Sequence, residues 1–367
     1  MKVLTLGANN ASTQNNTIKG LRALGIQAKG LCFDSHASMY NDYSGIALPN
    51  LSPGPNRSLG ISWWKRKQVS SFLFLRHLLW ADIVHCYSDF KALPFRLDQL
   101  LLKALRKPGV IEFQGSDIRI PSVETATNPY FRLACLDPQY EYPFEGPAVS
   151  LKRQRKFASL GFRPVVSGAL PLLDRGLFPE FSIVFHPSLV RDAVPAFPST
   201  EKTGPVLIAH AASAPVAKGT KYVVRAVENL KKKYAIELVL IRNMPLSFAL
   251  KTIEDCDIYV DQLVWGGYAV TAQQAMALGK PVVCYLKPVL SENLYPDDIP
   301  IVNASVDTLE EELAELIQNP RLRHDLGKRS RQYVEKYHDH IQVAQRLVEV
   351  YTSVLNSRKP RRPNSMT

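Results

Sequence analysis

A glycine-bearing run in the last third of the chain has the residue types that bind phosphate. Residues 261–283 read as the end of a buried strand, a loop with Gly266 and Gly267, a short helix, and a second strand opened by the sequence Gly-Lys-Pro. Glycines let backbone N–H groups approach a ligand closely, and the N-terminus of a helix attracts negative charge. The run therefore suits a diphosphate, although similar glycines also occur in α/β turns that bind nothing.

A lysine lies where a strand gives way to a helix earlier in the same half of the chain. The segment from His210 to Thr220 follows a strand-like run, and Lys218 and Gly219 stand just before a helix with an apolar face. An ammonium group in this place can neutralise a diphosphate and stabilise it as a leaving group. The alternative interpretation is an ordinary solvated lysine.

Two polar loops follow strand-like runs in the first half of the chain. Asn9 and Asn10 belong to a loop of small residues after the first strand, and residues 112–119 form a polar turn after a later strand. In this turn Asp117 and Arg119 are candidates to orient a polar substrate. A structural pairing of these two neighbours is an equally good interpretation.

Both halves of the chain alternate short apolar strands with longer helices. In the first half the pattern predicts strands over residues 2–6, 26–33, 82–87 and 110–113 and helices over 17–24, 62–79 and 97–105. After a proline-rich stretch between residues 178 and 205, it predicts strands over 206–209, 236–241, 258–260, 281–286 and 300–302 and helices over 220–234, 272–278 and 309–318. Such alternation indicates βαβ units with parallel sheets.

Two successive βαβ series predict an α/β fold of two Rossmann-like, doubly wound domains that face each other across a cleft. Ligands of such sheets bind beyond the carboxyl ends of the strands. We predict an N-terminal domain over residues 1–185 and a C-terminal domain over residues 205–340. An amphipathic helix over residues 341–356 and a basic, disordered tail over residues 357–367 complete the prediction.

One segment resembles the nucleotide-sugar-binding segment of family 4-like GT-B glycosyltransferases. It follows the glycine loop and reads Ala275-Met276-Ala277-Leu278-Gly279-Lys280-Pro281-Val282. The resemblance implies the GT-B fold, with the last helix crossing back to the N-terminal domain. It also implies transfer of a sugar, with retention, from a UDP- or GDP-sugar to a glycan or lipid-linked acceptor. No cofactor besides this substrate is implied.

The chain departs from the family pattern at several positions. Gly266 and Gln274 stand where the family usually has two glutamates, one near the sugar and one on the ribose. Ser213 occupies a place near Lys218 where an arginine is usual, and Gln114 replaces a usual histidine. A glutamine can still accept a hydrogen bond from a ribose hydroxyl, but without the strength that a charge adds.

The resemblance assigns three groups of site residues. The catalytic group is Gln114, Asp117 and Lys218. The donor-binding group is His210, Ser213, Lys218, Gly219, Thr220, Gly266, Gly267, Tyr268, Ala269, Val270 and Gln274. The acceptor-binding group is Asn9, Asn10, Gly115, Ser116 and Arg119. The main alternative is a catalytically inactive relative that acts as a binding or partner subunit, which the replaced residues favour.

The charge of the chain favours anionic partners. Lysine and arginine number 45 against 33 aspartates and glutamates, for a net charge of +12. Phosphate-bearing substrates, anionic membranes and nucleic acid all fit this excess, but no aromatic and basic motif for nucleic acid is present. Trp63 and Trp64 precede three basic residues and an apolar helix, which suits either a membrane interface or a core helix with one charged end.

The sequence predicts a cytoplasmic protein, with the inner face of the membrane as an alternative location. No apolar run reaches the ~18–20 residues that span a bilayer, and the first strand-like run is too short for a signal peptide. The five scattered cysteines suggest reduced thiols. Because no cysteine or carboxylate cluster accompanies His338 and His340, no metal site is predicted.

Overall fold

The computed structural model describes residues 1–33, 43–48, 61–93, 96–115, 117–142, 146–167, 170–201, 204–211 and 213–357, with backbone only at residues 61–67 and 170. This part of the chain forms two compact units. The first unit comprises Met1–Ile118, Ala148–Pro187 and the residues from His340 onward. The second unit comprises Arg119–Pro147 and Ser188–Asp339.

The first unit is built on a parallel sheet, which has seven strands within the described residues. They are β1 (Lys2–Gly7), β2 (Gln27–Cys32), β3 (Ile46–Ala47), β4 (Ile83–Tyr87), β5 (Gly109–Glu112), β6 (Arg163–Val166) and β7 (Ser182–Ile183). Their order across the sheet is β3-β2-β1-β4-β5-β6-β7. Val3, Leu4 and Leu6 of β1 are all fully buried, as expected for a strand with both faces covered.

The second unit has a parallel sheet of its own, with five strands in the described part of the chain. They are β8 (Val206–Ala211), β9 (Ile236–Ile241), β10 (Ile258–Val260), β11 (Val282–Cys284) and β12 (Val302–Asn303). Their order is β12-β11-β10-β8-β9. The two parallel sheets with their helices confirm the predicted α/β fold class.

Helices connect the strands of both sheets. They are α1 (Thr13–Ala23), α2 (Ile61–Trp80), α3 (Leu97–Ala104), α4 (Pro121–Thr127), α5 (Pro129–Cys135), α6 (Pro147–Ser159), α7 (Pro215–Lys218), α8 (Thr220–Leu230), α9 (Leu246–Asp255), α10 (Val270–Ala277), α11 (Pro288–Asn293), α12 (Leu309–Gln318), α13 (Pro320–Tyr337) and α14 (His340–Ser357). In α8 the apolar residues Val223, Val227 and Leu230 recur at helical spacing and are buried.

Helix α14 packs on α1 inside the first unit. Val343 and Leu347 of α14 share a buried cluster with Ile18 and Leu21 of α1. Gly20 allows this approach, because a side chain there would collide with the backbone of the first residue of α14. The chain therefore leaves the second unit after α13 and returns to the first.

Each sheet has one point at which the strand order reverses, between β1 and β4 in the first unit and between β8 and β10 in the second. The connections on either side of such a point run in opposite directions and leave a crevice at the carboxyl ends of the strands, where ligands bind. The loops after β8 and β10 are thus the expected binding position in the second unit.

Two predictions concern parts of the chain that the structure does not describe. Apart from Ser357, the predicted tail lies outside the described residues, and so do the side chains of Trp63 and Trp64. Across the described ranges, no helix is both long enough and apolar enough to span a membrane. The boundaries at residues 185 and 205 stay a prediction.

Candidate functional site

Lys218 lies at the switch point of the second sheet. It ends α7, the short turn that follows β8, and only 7% of the residue is exposed. Within the described chain, its ammonium group has neither an ion-pair partner nor a hydrogen-bond acceptor. The Lys218 ammonium is therefore available to an anion.

The loop after β10 is held in place by its own polar side chains. Asp261 is fully buried, and its Oδ2 accepts a hydrogen bond of 2.7 Å from the Ala269 N–H. The Gln262 side-chain amide donates to the Gly267 carbonyl, and the Lys218 carbonyl accepts a 3.0 Å hydrogen bond from the Leu263 N–H. These contacts fix the loop beside α7.

The charge of Lys218 also acts on Asp261. Burial raises the pKa of the Asp261 carboxyl, and the positive charge of Lys218 opposes this rise. The Asp261 carboxylate takes one N–H at the start of α10, that of Ala269. In the first turn of the helix, the N–H groups of Val270 and Thr271 have no acceptor among the described residues. Two amide donors therefore remain for an anion at this helix end.

Gly266 has a backbone conformation that favours glycine. Its φ is +80°, in the left-handed region. A Cβ atom there would lie 2.7 Å from Cβ of Lys287, far inside van der Waals contact. The place where the family usually carries a glutamate is therefore occupied by the stem of a lysine. Gly267 is similarly confined, since an added Cβ would lie 2.7 Å from the Tyr295 hydroxyl.

His210 is used by the protein itself. Its Nδ1 lies 2.9 Å from the Val260 carbonyl and its Nε2 lies 2.9 Å from the Thr220 hydroxyl. Because a carbonyl can only accept, Nδ1 carries the proton and Nε2 accepts from Thr220. Burial lowers the pKa of His210 to about 4, which keeps the ring neutral. His210 and Thr220 thus join β8 and β10 to the start of α8.

The other predicted donor-binding residues differ in their contacts and in their exposure to solvent. The Tyr268 hydroxyl contacts the Tyr333 hydroxyl at 3.1 Å and His338 Nε2 at 2.9 Å, which ties the loop to the end of α13. Ser213 is exposed. Gly219 has φ of +79° and joins α7 to α8.

The two glutamines of α10 have different roles. Gln273 is buried, and its side-chain oxygen accepts a 2.7 Å hydrogen bond from Ser188. Gln274 is half-buried, and its side-chain amide makes no hydrogen bond to any described residue. Of the two, Gln274 has the amide that is free to bind a ligand.

Residues Arg119–Pro147, here called the cover segment, pack on the carboxyl edge of the second sheet. The Asn128 side chain donates a 2.8 Å hydrogen bond to the Val264 carbonyl, and Phe131 packs on the Val264 side chain. The Arg119 guanidinium lies 4.5 Å from the centre of the Trp265 ring. Arg119, predicted to bind an acceptor, therefore lies in the second unit.

Glu141 of the cover segment binds the start of α7. Its two carboxylate oxygens accept hydrogen bonds of 2.8 Å from the Val216 N–H and 3.0 Å from the Ala217 N–H. The sequence analysis missed this contact because 75 residues separate Glu141 from Val216. It leaves the Lys218 ammonium as the charged group that α7 contributes.

The predicted acceptor residues of the first unit lie at the carboxyl ends of β1 and β5. Asn9 is buried, and its Oδ1 accepts a 3.0 Å hydrogen bond from the Asn15 N–H. The Asn9 side-chain nitrogen is buried without a hydrogen-bond partner. Asn10 is exposed, and Gly115 has φ of +86°. Ser116, predicted with them, lies outside the described residues.

Glu112, at the end of β5, is the centre of a polar network that the sequence analysis did not identify. His186 Nδ1 lies 2.8 Å from one carboxylate oxygen, to which Gln114 also donates at 3.1 Å. His85 Nε2 lies 3.5 Å from the other oxygen, and Ser167 Oγ lies 2.9 Å from His186 Nε2. Burial alone would raise the pKa of Glu112, but the hydrogen bond from His186 and the nearby His85 lower it to about 2. Gln114 is thus bound to the carboxylate at the centre of this network.

Asp117 follows β5 and is poorly solvated. Both of its carboxylate oxygens are buried without a hydrogen bond of ordinary length in the described structure. Burial raises the pKa of Asp117 to about 6, and nearby groups such as Ser88 and Arg153 offset only part of this effect. Its proposed role with an acceptor stays a prediction.

We expect Asp117→Asn to become more stable relative to the wild type as the pH rises. A raised pKa favours folding below the pKa of the unfolded state, and this contribution is lost as the pH rises through about 6. As the pH rises from about 4 to about 7, the free energy of unfolding of the variant should increase by about 1–3 kcal/mol relative to that of the wild type. Urea unfolding at several pH values measures this difference.

Glu112→Gln is the control of opposite sign for this pH series. The lowered pKa of Glu112 contributes stability above the pKa of the unfolded state, so the variant should lose stability at neutral pH. A stability difference between Asp117→Asn and wild type that does not change with pH would show that Asp117 is well solvated.

The described residues contain no group of three or more histidine, cysteine, aspartate or glutamate side chains that could hold a metal ion. The Asp261 carboxylate of the second unit is bound by the Ala269 N–H, and the Glu112 carboxylate of the first unit is bound by His186 and Gln114.

The fold is found in other solved structures along the whole chain. The sucrose-phosphate synthase of Thermosynechococcus elongatus is 12% identical, with a TM-score of 0.61 over 97% of this chain and 100% of that one. A glycosyltransferase from Rickettsia africae is 13% identical, with a TM-score of 0.60 over 96% and 98%. The UDP-GlcNAc 2-epimerase of Neisseria meningitidis, bound to UDP-GlcNAc, is 15% identical, with a TM-score of 0.53 over 96% and 100%.

These similarities and the two doubly wound sheets define the GT-B fold. Within this fold, residues 247–333 match the family described as glycosyl transferases group 1. The match spans α9 and most of α13 and includes the glycine loop and Gln274. This match, within the GT-B fold, confirms the resemblance found in the sequence. No curated protein matches the chain significantly.

Proposed function

We propose that the protein transfers a sugar from a nucleoside diphosphate sugar to a glycan or lipid-linked acceptor, and that the second unit binds the donor. The ammonium group of Lys218, a residue that is only 7% exposed, carries this proposal, because it has no partner among the described residues. It lies at the switch point between β8 and β10, where doubly wound sheets bind their ligands. A diphosphate is an anion of suitable charge for it.

The donor would bind along the loop after β10. Lys218 and the N–H groups of Val270 and Thr271 would hold the diphosphate and stabilise it as it departs. Gln274, one turn further along α10, would accept a hydrogen bond from a ribose hydroxyl. The UDP-GlcNAc in the Neisseria meningitidis epimerase supports a sugar nucleotide as the kind of ligand that this fold accommodates.

The acceptor would bind to the first unit. Asn9, Gln114 and Asp117 present polar groups at the carboxyl edge of its sheet. The side-chain nitrogen of Asn9, which is buried without a partner, would donate a hydrogen bond to the acceptor. Retention of the anomeric configuration follows from the family resemblance. Contact with an anionic membrane remains part of the proposal on the strength of the net charge of +12.

The second candidate function is a binding subunit that has lost catalysis. Gly266 favours it, because the left-handed backbone and the stem of Lys287 exclude the glutamate that the family usually carries there. A protein of this kind would bind a nucleotide or a glycan without turning over a donor. Hydrolysis of the donor in the absence of acceptor separates the two candidates.

Titration calorimetry with UDP, GDP and ADP, followed by a hydrolysis assay with sugar derivatives of the nucleotide that binds, tests the proposal. We expect one nucleoside diphosphate to bind and one of its sugar derivatives to be hydrolysed slowly. Binding without hydrolysis or transfer would favour the inactive subunit. If none of the three nucleotides binds, the donor site is not where we place it.

We expect Gln274→Glu to bind the nucleoside diphosphate as tightly as the wild type or more tightly. A carboxylate accepts the same ribose hydrogen bond with a charge, which roughly doubles its strength. The control variant is Gln274→Leu, which has a similar volume and no acceptor and should bind more weakly. Calorimetry measures both. A roughly tenfold loss in Gln274→Glu, about 1.4 kcal/mol, would mean that Gln274 does not face the ribose.

A further inference from the structure

Lys218, the glycine loop and Lys287 follow one another along the carboxyl edge of the second sheet. Lys287 comes shortly after β11, which neighbours β10, and β10 neighbours β8 on its other side. Because parallel strands end at the same edge of a sheet, the residues after β11, β10 and β8 follow one another along it. The glycine loop after β10 is thus placed between the positions of the two lysines.

Lys287 is packed directly against this loop. Its N–H donates a 2.9 Å hydrogen bond to the Gly266 carbonyl. Its Cβ, Cγ and Cδ atoms lie 2.7, 2.8 and 2.9 Å from the position of a Cβ on Gly266. The aliphatic stem of Lys287 therefore takes the space that the missing side chain leaves.

Glu124 of the cover segment holds that ammonium group. The Lys287 Nζ atom lies 2.9 Å and 2.7 Å from the two carboxylate oxygens of Glu124. The two side chains are only 6% and 7% exposed. A buried ion pair is a weak source of stability, because desolvation offsets much of the attraction between the charges. An ammonium group has three N–H donors, so two bonds to Glu124 leave one donor free.

We propose that Lys287 is a second cation of the diphosphate site and that Glu124 orients it. This inference rests on the proposed donor binding by the second unit. The diphosphate of a sugar nucleotide carries two negative charges, and Lys218 compensates one of them. Lys287, whose charge is balanced by Glu124, donates its remaining N–H to the diphosphate from the β11 side of the glycine loop, and Glu124 holds the ammonium group in place.

Calorimetry on the full chain with UDP, GDP, ADP and inorganic pyrophosphate tests this role. Lys287→Met should weaken the binding of the diphosphates roughly tenfold, as expected for the loss of a charge-assisted hydrogen bond. Lys287→Arg should restore most of the affinity. The affinity for the monophosphate of the preferred nucleoside should fall less than the affinity for the diphosphate. Added salt should weaken diphosphate binding less in Lys287→Met than in the wild type.

Two further variants separate binding from folding. Lys280→Met removes another buried lysine, which stands before β11 and donates to the Ala196 carbonyl, and it should leave diphosphate affinity unchanged. Glu124→Gln combined with Lys287→Met avoids an unpaired buried carboxylate if Lys287→Met alone does not fold. This double variant should fold and show the same loss of affinity.

The outcomes distinguish this inference from the proposed function. If the wild type binds a diphosphate and the folded Lys287 variants bind it within about twofold of the wild type, a difference under about 0.5 kcal/mol, Lys287 is structural and the donor site stands without it. If the wild type binds neither pyrophosphate nor any of the three nucleotides, the donor site itself is wrong and this inference falls with it.

Discussion

Replacing Lys218 with methionine should weaken nucleoside diphosphate binding by about 1.5–3 kcal/mol, the range for a hydrogen bond to a charged group. This corresponds to roughly a 10- to 150-fold higher Kd. Methionine keeps the apolar stem and removes only the ammonium group, which has no partner in the described residues. Lys218→Ala should show a similar loss. Calorimetry with the nucleotide that binds the wild type measures the effect.

Lys221→Met is the matched control for this prediction. Lys221 lies three residues further along, is exposed, and forms a 3.2 Å ion pair with Asp137. Exposed pairs of this kind contribute little, so the control should bind nucleotide as the wild type does. Unchanged affinity in a folded Lys218→Met variant would show that Lys218 does not touch the diphosphate, and that the second unit holds anions elsewhere.

Gly266→Glu, which puts back the residue that the family usually carries, should destabilise the protein and weaken nucleotide binding. A side chain in the left-handed region costs about 1–3 kcal/mol in backbone strain. The new Cβ atom would also lie 2.7 Å from Cβ of Lys287, so the lysine stem would have to move. Urea unfolding measures the loss of stability, and calorimetry measures the affinity.

Gly25→Ala separates the two causes of this effect. Gly25 has φ of +74°, close to that of Gly266, but a Cβ there would meet no atom within 4 Å. Its alanine variant should show the backbone strain alone and keep nucleotide affinity. A Gly266→Glu variant that unfolds like the wild type and binds nucleotide more tightly would mean that the loop has room for the carboxylate after all.

The sequence predicted the fold well, because its main signals are local. Short apolar runs such as those of β1 and β8 alternate with helices such as α8, whose buried residues recur at helical spacing. The positions of Lys218 and Gly266 at strand ends could also be predicted, since a motif and its strand are neighbours in sequence. Their roles as ligand-binding residues stay predictions.

The contacts that complete each site could not be predicted, because they join distant parts of the chain. Glu124 and Lys287 are 163 residues apart, and Glu112 and His186 are 74 apart. Neither partner of such a pair has a periodicity or a neighbouring motif that marks it. The cover segment was missed for a related reason: its helices α4 and α5 have seven residues each, too few for a clear helical period.

The family resemblance also assigned His210 to the donor-binding residues. The structure places it in a neutral, buried link between Val260 and Thr220. A contact between His210 and the donor stays a prediction. The low pKa of His210 depends on complete burial, and burial at a strand end is set by the residues that cover it. Some of these residues, such as Val260, are distant in sequence, so the segment around His210 does not predict its burial.

The path of the chain between the two units has a consequence for biosynthesis. The polypeptide passes from one unit to the other four times, after Ile118, Pro147, Pro187 and Asp339. During translation, the apolar face of α1 stays uncovered until α14 has been made. The second unit needs the cover segment and the residues up to Asp339. The second unit can therefore be completed before the first, which cannot mature until α14 has followed the second unit out of the ribosome.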